Sequence, residues 1–396
     1  MTDAGRGSAL AIIRALGRKG LRVVAADSDR RSPGFRSRLA REQVLYPSPS
    51  SCPDAAVETL WHSARSLGVD LIIPVTDDIV LPLSAARDRF ASVCRLALPD
   101  AAALAVTSSK QATLALAGSL GIPVPRTFLA RTADEALDGA NFGWPVVVKP
   151  ESSRMYRAGS VEAFPVGYAN SGDDLTREME SLGGRCRVLI QEYCPGEGHG
   201  VELLVDGGRV LAAFQHHRLR EVPVTGGASS FRQSVPLDPV LFSYSARLLS
   251  ELKWTGLAMV EFKVGPRGPR LMEVNGRVWG SLPLAVKSGM DFPARLADLY
   301  LNPSPCEPAA PDTSYVTGVR CRNLELEVLW IASAITGRRR YPFLPGPTRR
   351  QGLAAALRLA NPADGYDILS ARDPRPGVAE LLKIARKIGA KATRHG

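Results

Sequence analysis

The stretch from Trp254 to Pro293, WTGLAMVEFKVGPRGPRLMEVNGRVWGSLPLAVKSGMDFP, constrains this chain most. Residues 256–264 (GLAMVEFKV) and 270–275 (RLMEVN) flank Gly265-Pro266-Arg267-Gly268-Pro269 and read as two strands joined by a tight turn. A five-residue loop pairs Val264 with Arg270, which sets Glu261 directly opposite Glu273. Like charges facing across a strand pair repel and destabilise the sheet. Asn275 lies two residues beyond Glu273 and shares its face. Two carboxylates and an amide carbonyl on one face suit a hard cation such as Mg²⁺, which takes oxygen ligands. Arg277, two residues later, is placed to neutralise a phosphate or an oxyanion. A solvent-facing strand pair eased by Lys263 is the alternative, and the hairpin alone does not decide between them.

The rest of the chain narrows the choice. Residues 4–27 read as a Gly-rich turn, a helix with Ala9, Ile12, Ile13 and Leu16 on one face, and a short apolar strand ending at Asp27. This is half of a doubly wound unit. A first strand should precede the turn, yet only Met1-Thr2-Asp3 stand there, so either that strand is lost or the reading frame opens upstream. Gly5-Arg6-Gly7 with Asp27 invites a dinucleotide reading, but Leu10 replaces the third glycine. Residues 70–76 read as a buried strand delivering Asp77 and Asp78 to its C-terminal end, where open α/β sheets bind ligands. Thr107 to Leu120 reads as one capped helix with Lys110 in its first turn, where a cation opposes the helix dipole unless it reaches an anion. Residues 144–150 (WPVVVKP) form a buried strand ending in Lys149, whose ammonium needs a partner. The loop 151–160 is expected to close over a polyphosphate. Residues 303–313, rich in Pro and Ala, read as a connector, and no chemical constellation is apparent beyond them.

Composition fits a globular chain of 396 residues with 45% hydrophobic residues. No apolar run approaches the roughly 20 residues of a membrane helix. No signal-peptide core is present, so a cytoplasmic location is expected. The six cysteines are scattered without a C-x-x-C pair. The net charge of +11 is spread along the chain without a nucleic-acid-binding motif, so neither nucleic acid nor membrane is an expected partner.

Taken together, DAGRGSALAIIRALG, DLIIPVTDD, SSKQATLALAGSLGIPVP, PVVVKP, LIQEYCPGEG, FQHHRLREVPVTGG and the hairpin resemble, in order and spacing, the ATP-grasp superfamily. Within it they look most like the carbamoyl-phosphate-synthase-like, biotin-carboxylase-related group of bacterial carboxylate–amine ligases. The resemblance covers roughly residues 4–300. It implies a mixed α/β and α+β architecture. An N-terminal Rossmann-like domain (1–106) would precede an ATP-grasp domain (107–302) with a lid at about 125–193 and a central antiparallel sheet, followed by an α-rich extension (303–396). It also implies ATP and Mg²⁺ as cofactors, with Mn²⁺ able to take the same place. By position, Lys110 and Lys149 would hold phosphates. Gln191, Glu192, Tyr193 and Cys194 would line the adenine hinge, and Glu197 would approach the ribose. Glu261, Glu273 and Asn275 would bind the metal. Arg277, with Arg218 or Arg220, would stabilise the transferred phosphoryl group.

The implied reaction joins a carboxylate to an amine through an acyl phosphate, releasing ADP and phosphate. An amino acid is the expected substrate, and a homodimer is compatible. Residues VWGSLPLAV after Arg277 lack the Gln-Val-Glu run of biotin carboxylases, which counts against bicarbonate-dependent carboxylation. That chemistry and a non-catalytic nucleotide-binding protein are the alternatives.

Overall fold

Seven strands form the central sheet, in the spatial order Gly268–Asn275, Gly256–Gly265, Glu197–Asp206, Arg209–Val222, Ala228–Ser234, Arg320–Arg322 and Asp364–Tyr366. Neighbours are antiparallel except the last pair. A four-stranded antiparallel sheet, in the order Thr127–Ala130, Val188–Glu192, Val146–Pro150 and Gly167–Ala169, stands apart from it. The structure, a computed structural model, describes residues 1–151, 154–157, 160–164, 166–184, 186–302, 310–337 and 339–392. Residues 152, 153, 158 and 159 of the loop 151–160, and 303–309 of the connector, lie outside the described residues, as do the side chains of 152–160.

Period-2 alternation gives the central sheet two different faces. Val201, Leu203 and Val205 point to one side and pack with Leu241, Leu248 and Leu249 of the helix Pro239–Glu251. Leu204, Leu257 and Met259 point to the other, against Leu282, Phe292, Leu296 and the N-terminal helix Gly7–Arg18. The N-terminal unit therefore sits on the face that carries Gly198, Gly200 and Glu202.

The first strand's place is taken by Met1–Ala4. Ala26 N donates to Met1 O (2.8 Å) and Ala4 N to Ala26 O (3.1 Å), while Thr2 N donates to Ile73 O (3.3 Å) on the other side. The 70–76 segment pairs regularly only over Leu71–Ile72. Asp27 braces the turn, accepting from Gly5 N (2.6 Å), Ser32 Oγ (2.9 Å) and Asp29 N (2.9 Å), so it is engaged locally.

The expected helix 107–120 is two helices, Ala101–Ser108 and Lys110–Ser119, broken at Ser109. Ser109 leaves helical geometry and its hydroxyl caps the second helix by accepting from Ala112 N. Lys110 is consequently the first residue of a helix.

The hairpin differs from its expected form in a compensating way. Its loop is only Pro266-Arg267, closed by Gly265 opposite Gly268, whose φ of +81° suits glycine. Val264 therefore faces Pro269 rather than Arg270. A β-bulge at Met272 then restores the register, and Glu261 does face Glu273.

The C-terminal extension is more than a helical appendage. It adds two strands to the central sheet and ties back to the N-terminal unit. Arg14 Nε donates to Asp373 (2.9 Å), and Asp373 also accepts from Ser37 Oγ (2.7 Å) and Arg38 N (3.2 Å). The fully buried Arg322 joins Glu327 (3.0 Å) and Asp364.

Candidate functional site

A cavity of about 510 Å³ collects residues from both sheets, the start of the Lys110 helix, the N-terminal turn at Arg6–Ser8 and the C-terminal extension. Lys110, Lys149, Tyr193, Cys194, Arg218, Glu261, Glu273, Asn275 and Arg277 all line it. Asn275 Nδ2 lies 2.8 Å from Glu261 Oε1 and 3.4 Å from Glu273 Oε1, so the amide bridges the opposed carboxylates. Burial pushes the Glu261 carboxyl up from its ordinary value and Glu273 adds to this, while Arg218, which ion-pairs with Glu261, opposes it. Lys149 Nζ donates to Gln191 Oε1 (2.8 Å). Burial lowers the pKa of both Lys110 and Lys149, with Glu273 as the leading opposing charge for each. Arg277 Nε donates to Asp77 Oδ1 (2.8 Å), which gives that carboxylate a role inside the fold.

Four expected site residues do not reach the cavity with their side chains. The resemblance offered Arg218 or Arg220 beside Arg277, and strict alternation along one strand would give the two the same face. Register shifts between Arg218 and Glu221 break that alternation and send Arg220 outward. There it ion-pairs with buried Glu327 and lies over the rings of Trp330 (4.6 Å) and Phe231 (5.1 Å). Glu192 turns away from the hinge to Arg126 (2.9 Å) and Arg267 (3.7 Å). Burial pushes its carboxyl up, but Arg126 outweighs this and holds it below its ordinary value. Gln191 is buried and acts on Lys149, its Nε2 donating to Thr127 Oγ1 (3.0 Å).

Glu197 precedes the cavity-lining Gly198 and so lies on the opposite face, 3.2 Å from His217 Nε2 and 4.0 Å from His199 Nε2. This trio has its ligand atoms within 4.8 Å of one another. Gln215 presents Nε2 to His199 Nδ1 (3.3 Å) because its Oε1 takes the Asp238 N–H (2.8 Å). That makes His199 Nδ1 an acceptor and leaves its proton on Nε2, 4.0 Å from Glu197 and beyond hydrogen-bond reach.

Solved structures share this fold. A biotin carboxylase from Campylobacter jejuni in complex with β-γ-ATP matches with a TM-score of 0.62 at 16% identity, over 81% of this chain and 73% of that one. An L-amino acid ligase from Bacillus licheniformis matches with a TM-score of 0.56 at 15% identity, over 74% and 71%. Residues 185–324, which hold the hairpin and its flanking strands, match the family described as ATP-grasp in the biosynthetic pathway with Ter operon. The chain has the ATP-grasp fold. This ATP-grasp protein is also 28% identical over 239 residues to the ribosomal protein bS6–L-glutamate ligase of Shigella flexneri serotype 5b (strain 8401), covering 57% of this chain and 76% of that ligase.

In this ATP-grasp protein the cavity holds groups that motif reading passed over. Glu221 receives Lys263 Nζ (2.9 Å) and Arg218 Nη1 (3.2 Å), so Lys263 serves Glu221 and not Glu261. Arg232, almost fully buried, lines the cavity and pairs with Asp367 of the C-terminal extension. The alternation of Gly198, Gly200 and Glu202 with Val201, Leu203 and Val205 was the available signal for this face, since it sets small and charged residues opposite an apolar stripe.

The residues present fit Mg²⁺ and a polyphosphate. Glu261, Glu273 and Asn275 converge as hard oxygen-bearing groups, the donor set such a cation takes. Among the described residues, seven basic ones line the cavity (Arg6, Lys110, Lys149, Arg218, Arg232, Lys263, Arg277) against three acidic ones (Glu221, Glu261, Glu273), an excess suited to an anionic ligand.

Proposed function

We propose that this protein is an ATP-dependent carboxylate–amine ligase acting on small molecules, with an amino acid as one substrate, in the cytoplasm. The observation that carries this is the convergence of Lys110, Lys149, the bridged carboxylates and Arg277 on one cavity between two antiparallel sheets. Lys110 and Lys149 would bind ATP phosphates, relieving two ammonium groups that burial disfavours. Glu261, Glu273 and Asn275 would hold Mg²⁺, which supplies charge neutralisation at phosphate oxygens. Tyr193 and Cys194 would border the base.

Arg218 and Arg277 flank the carboxylates and would neutralise charge as a substrate carboxylate attacks the terminal phosphorus. Such catalysis rests on positioning and electrostatics. The ligase names of the bS6-modifying relative and of the Bacillus licheniformis neighbour support amide formation over carboxylation.

Phosphate release from Mg²⁺ and ATP, screened over pairs of amino acids, tests the reading. Release should require both a carboxylate and an amine, and Glu273→Gln should abolish it while the fold survives. Release that needs bicarbonate and no amine would favour a carboxylase. ATP binding without Mg²⁺-dependent turnover for any pair would leave a nucleotide-binding module.

A further inference from the structure

Below the cavity floor lies a buried acid–base cluster that neither the phosphate site nor the metal site uses. Glu202 is fully buried in the strand Glu197–Asp206. Its Oε1 accepts from Ser281 Oγ (2.7 Å), and His216 Nδ1 lies 2.9 Å from the same oxygen. Ser281 itself lines the cavity, beside Trp279 and Gly280. The chain makes room for this cluster. A Cβ at Gly200 would stand 2.3 Å from His216 Cε1, so the glycine lets the imidazole lie flat against the strand.

A fully buried carboxylate is costly without compensation. Here compensation is partial, because Glu202 Oε2 and both ring nitrogens of His216 have no hydrogen-bond partner among the described residues, so the imidazole meets Glu202 Oε1 as a close contact. Two guanidinium groups act on Glu202, Arg232 from the strand Ala228–Ser234 and Arg218 from the adjoining strand Arg209–Val222, and Trp279 and Met259 complete its surroundings. His216 additionally feels Arg218, Arg232, His217 and Glu221. Burial, offset by Ser281, pushes the Glu202 carboxyl up to about 8, and burial lowers the His216 ring so that it stays neutral.

We propose that Ser281, backed by the buried Glu202–His216 pair, takes the proton from the attacking amine in the second half-reaction. This rests on the ligase reading above. As the amine nitrogen bonds to the acyl carbon, its N–H proton passes to Ser281 Oγ. The hydroxyl proton of Ser281 passes at the same time to Glu202 Oε1. The acyl C–O bond to phosphorus breaks with its electron pair, and phosphate leaves. Ser281 touches the substrate, Glu202 acts through Ser281, and neutral His216 positions the carboxylate. The proton of Glu202 returns to solvent when products depart.

Hydroxylamine separates the proton step from the phosphoryl step. It is already unprotonated at neutral pH, and its adduct sheds a proton to water readily. Glu202→Gln and Ser281→Ala should each lower amide formation with an amino acid by about 100-fold, the scale of general-base catalysis. Hydroxamate formation from the same carboxylate should fall far less. The wild-type amide rate should level off above pH about 8, where Glu202 is ionised, while that of the Glu202→Gln variant keeps climbing as hydroxide replaces the lost base. Equal loss of both products, or loss of neither, overturns the proposal. If Glu202→Gln does not fold, Ser281→Ala carries the same test, since it leaves the buried pair in place. Wild-type protein that forms no hydroxamate with any carboxylate refutes the ligase reading itself, and the proton relay falls with it.

Discussion

Arg220 and Arg218 are two residues apart, and the structure gives them opposite duties, which a pair of alanine substitutions separates. Arg220 lies over Trp330 and Phe231 and ion-pairs with fully buried Glu327, away from the cavity. Arg220→Ala removes two cation–π contacts, each worth about 1 kcal/mol when partly desolvated. It also removes one charge-assisted bond of about 1.5 kcal/mol. Glu327 retains Arg322 at 3.0 Å, so it escapes the full penalty of an orphaned buried charge. The expected loss is about 3.5 kcal/mol of stability. Urea unfolding followed by tryptophan fluorescence should show a lower midpoint. Phosphate release per folded molecule should be unchanged at a temperature where the variant remains native. Arg218→Ala should do the reverse for turnover, because it strips the Glu261 carboxylate of its cation inside the cavity. Loss of turnover in Arg220→Ala with an unshifted unfolding midpoint would refute the structural role assigned to Arg220.

Two further outcomes follow from the same geometry. Lys149→Met should abolish the rise in melting temperature produced by ATP in the wild-type protein, measured by scanning fluorimetry, because the ammonium at the cavity wall is the group a phosphate would relieve. Asp373→Asn should cost about 2 kcal/mol at neutral pH by weakening the bonds from Arg14, Ser37 and Arg38 that join the C-terminal extension to the N-terminal unit. Burial pushes the Asp373 carboxyl up, but the hydrogen bonds from Ser37 and Arg14 prevail and hold it below its ordinary value. Its contribution is therefore present above the ordinary aspartate range and lost as pH falls through the lowered value. Melting temperatures of wild type and variant should converge in acid and diverge towards neutrality.

What could be read in advance depended on whether local periodicity survived. Helices of the N-terminal unit followed their apolar spacing, and Ile12, Ile13 and Leu16 are buried as that spacing demands. Glu261 opposite Glu273 was legible too, though through two departures that cancel: a turn shorter than counted and a bulge that adds Met272 back. Where a bulge has no counterweight, strict alternation fails. The irregular register around Leu219 separates Arg218 from Arg220, and nothing in HHRLREV announces it. Contacts made across the whole chain lay beyond any local pattern. Arg14 meets Asp373, and Arg232 meets Asp367, only because the C-terminal segment returns to both the N-terminal unit and the central sheet.

The opposed carboxylates at 261 and 273 also mean something different once their surroundings are known. Seen as a pair they are a repulsion awaiting a cation. In the fold Glu261 has Arg218, while Lys110, Lys149 and Arg277 each feel Glu273. Neutralising Glu273 would relieve one repulsion and weaken three attractions, so a gain in stability no longer follows from the hairpin alone. The cavity without ligand is thus partly self-neutralised, its carboxylates standing near the same lysines that would bind phosphate. Under the proposed reading, binding of an anion with its cation would exchange partners rather than create charge: phosphate oxygens would take the lysines, and the metal would take the carboxylates. Such an exchange favours the two ligands arriving together, since either alone leaves one set of buried charges without its partner.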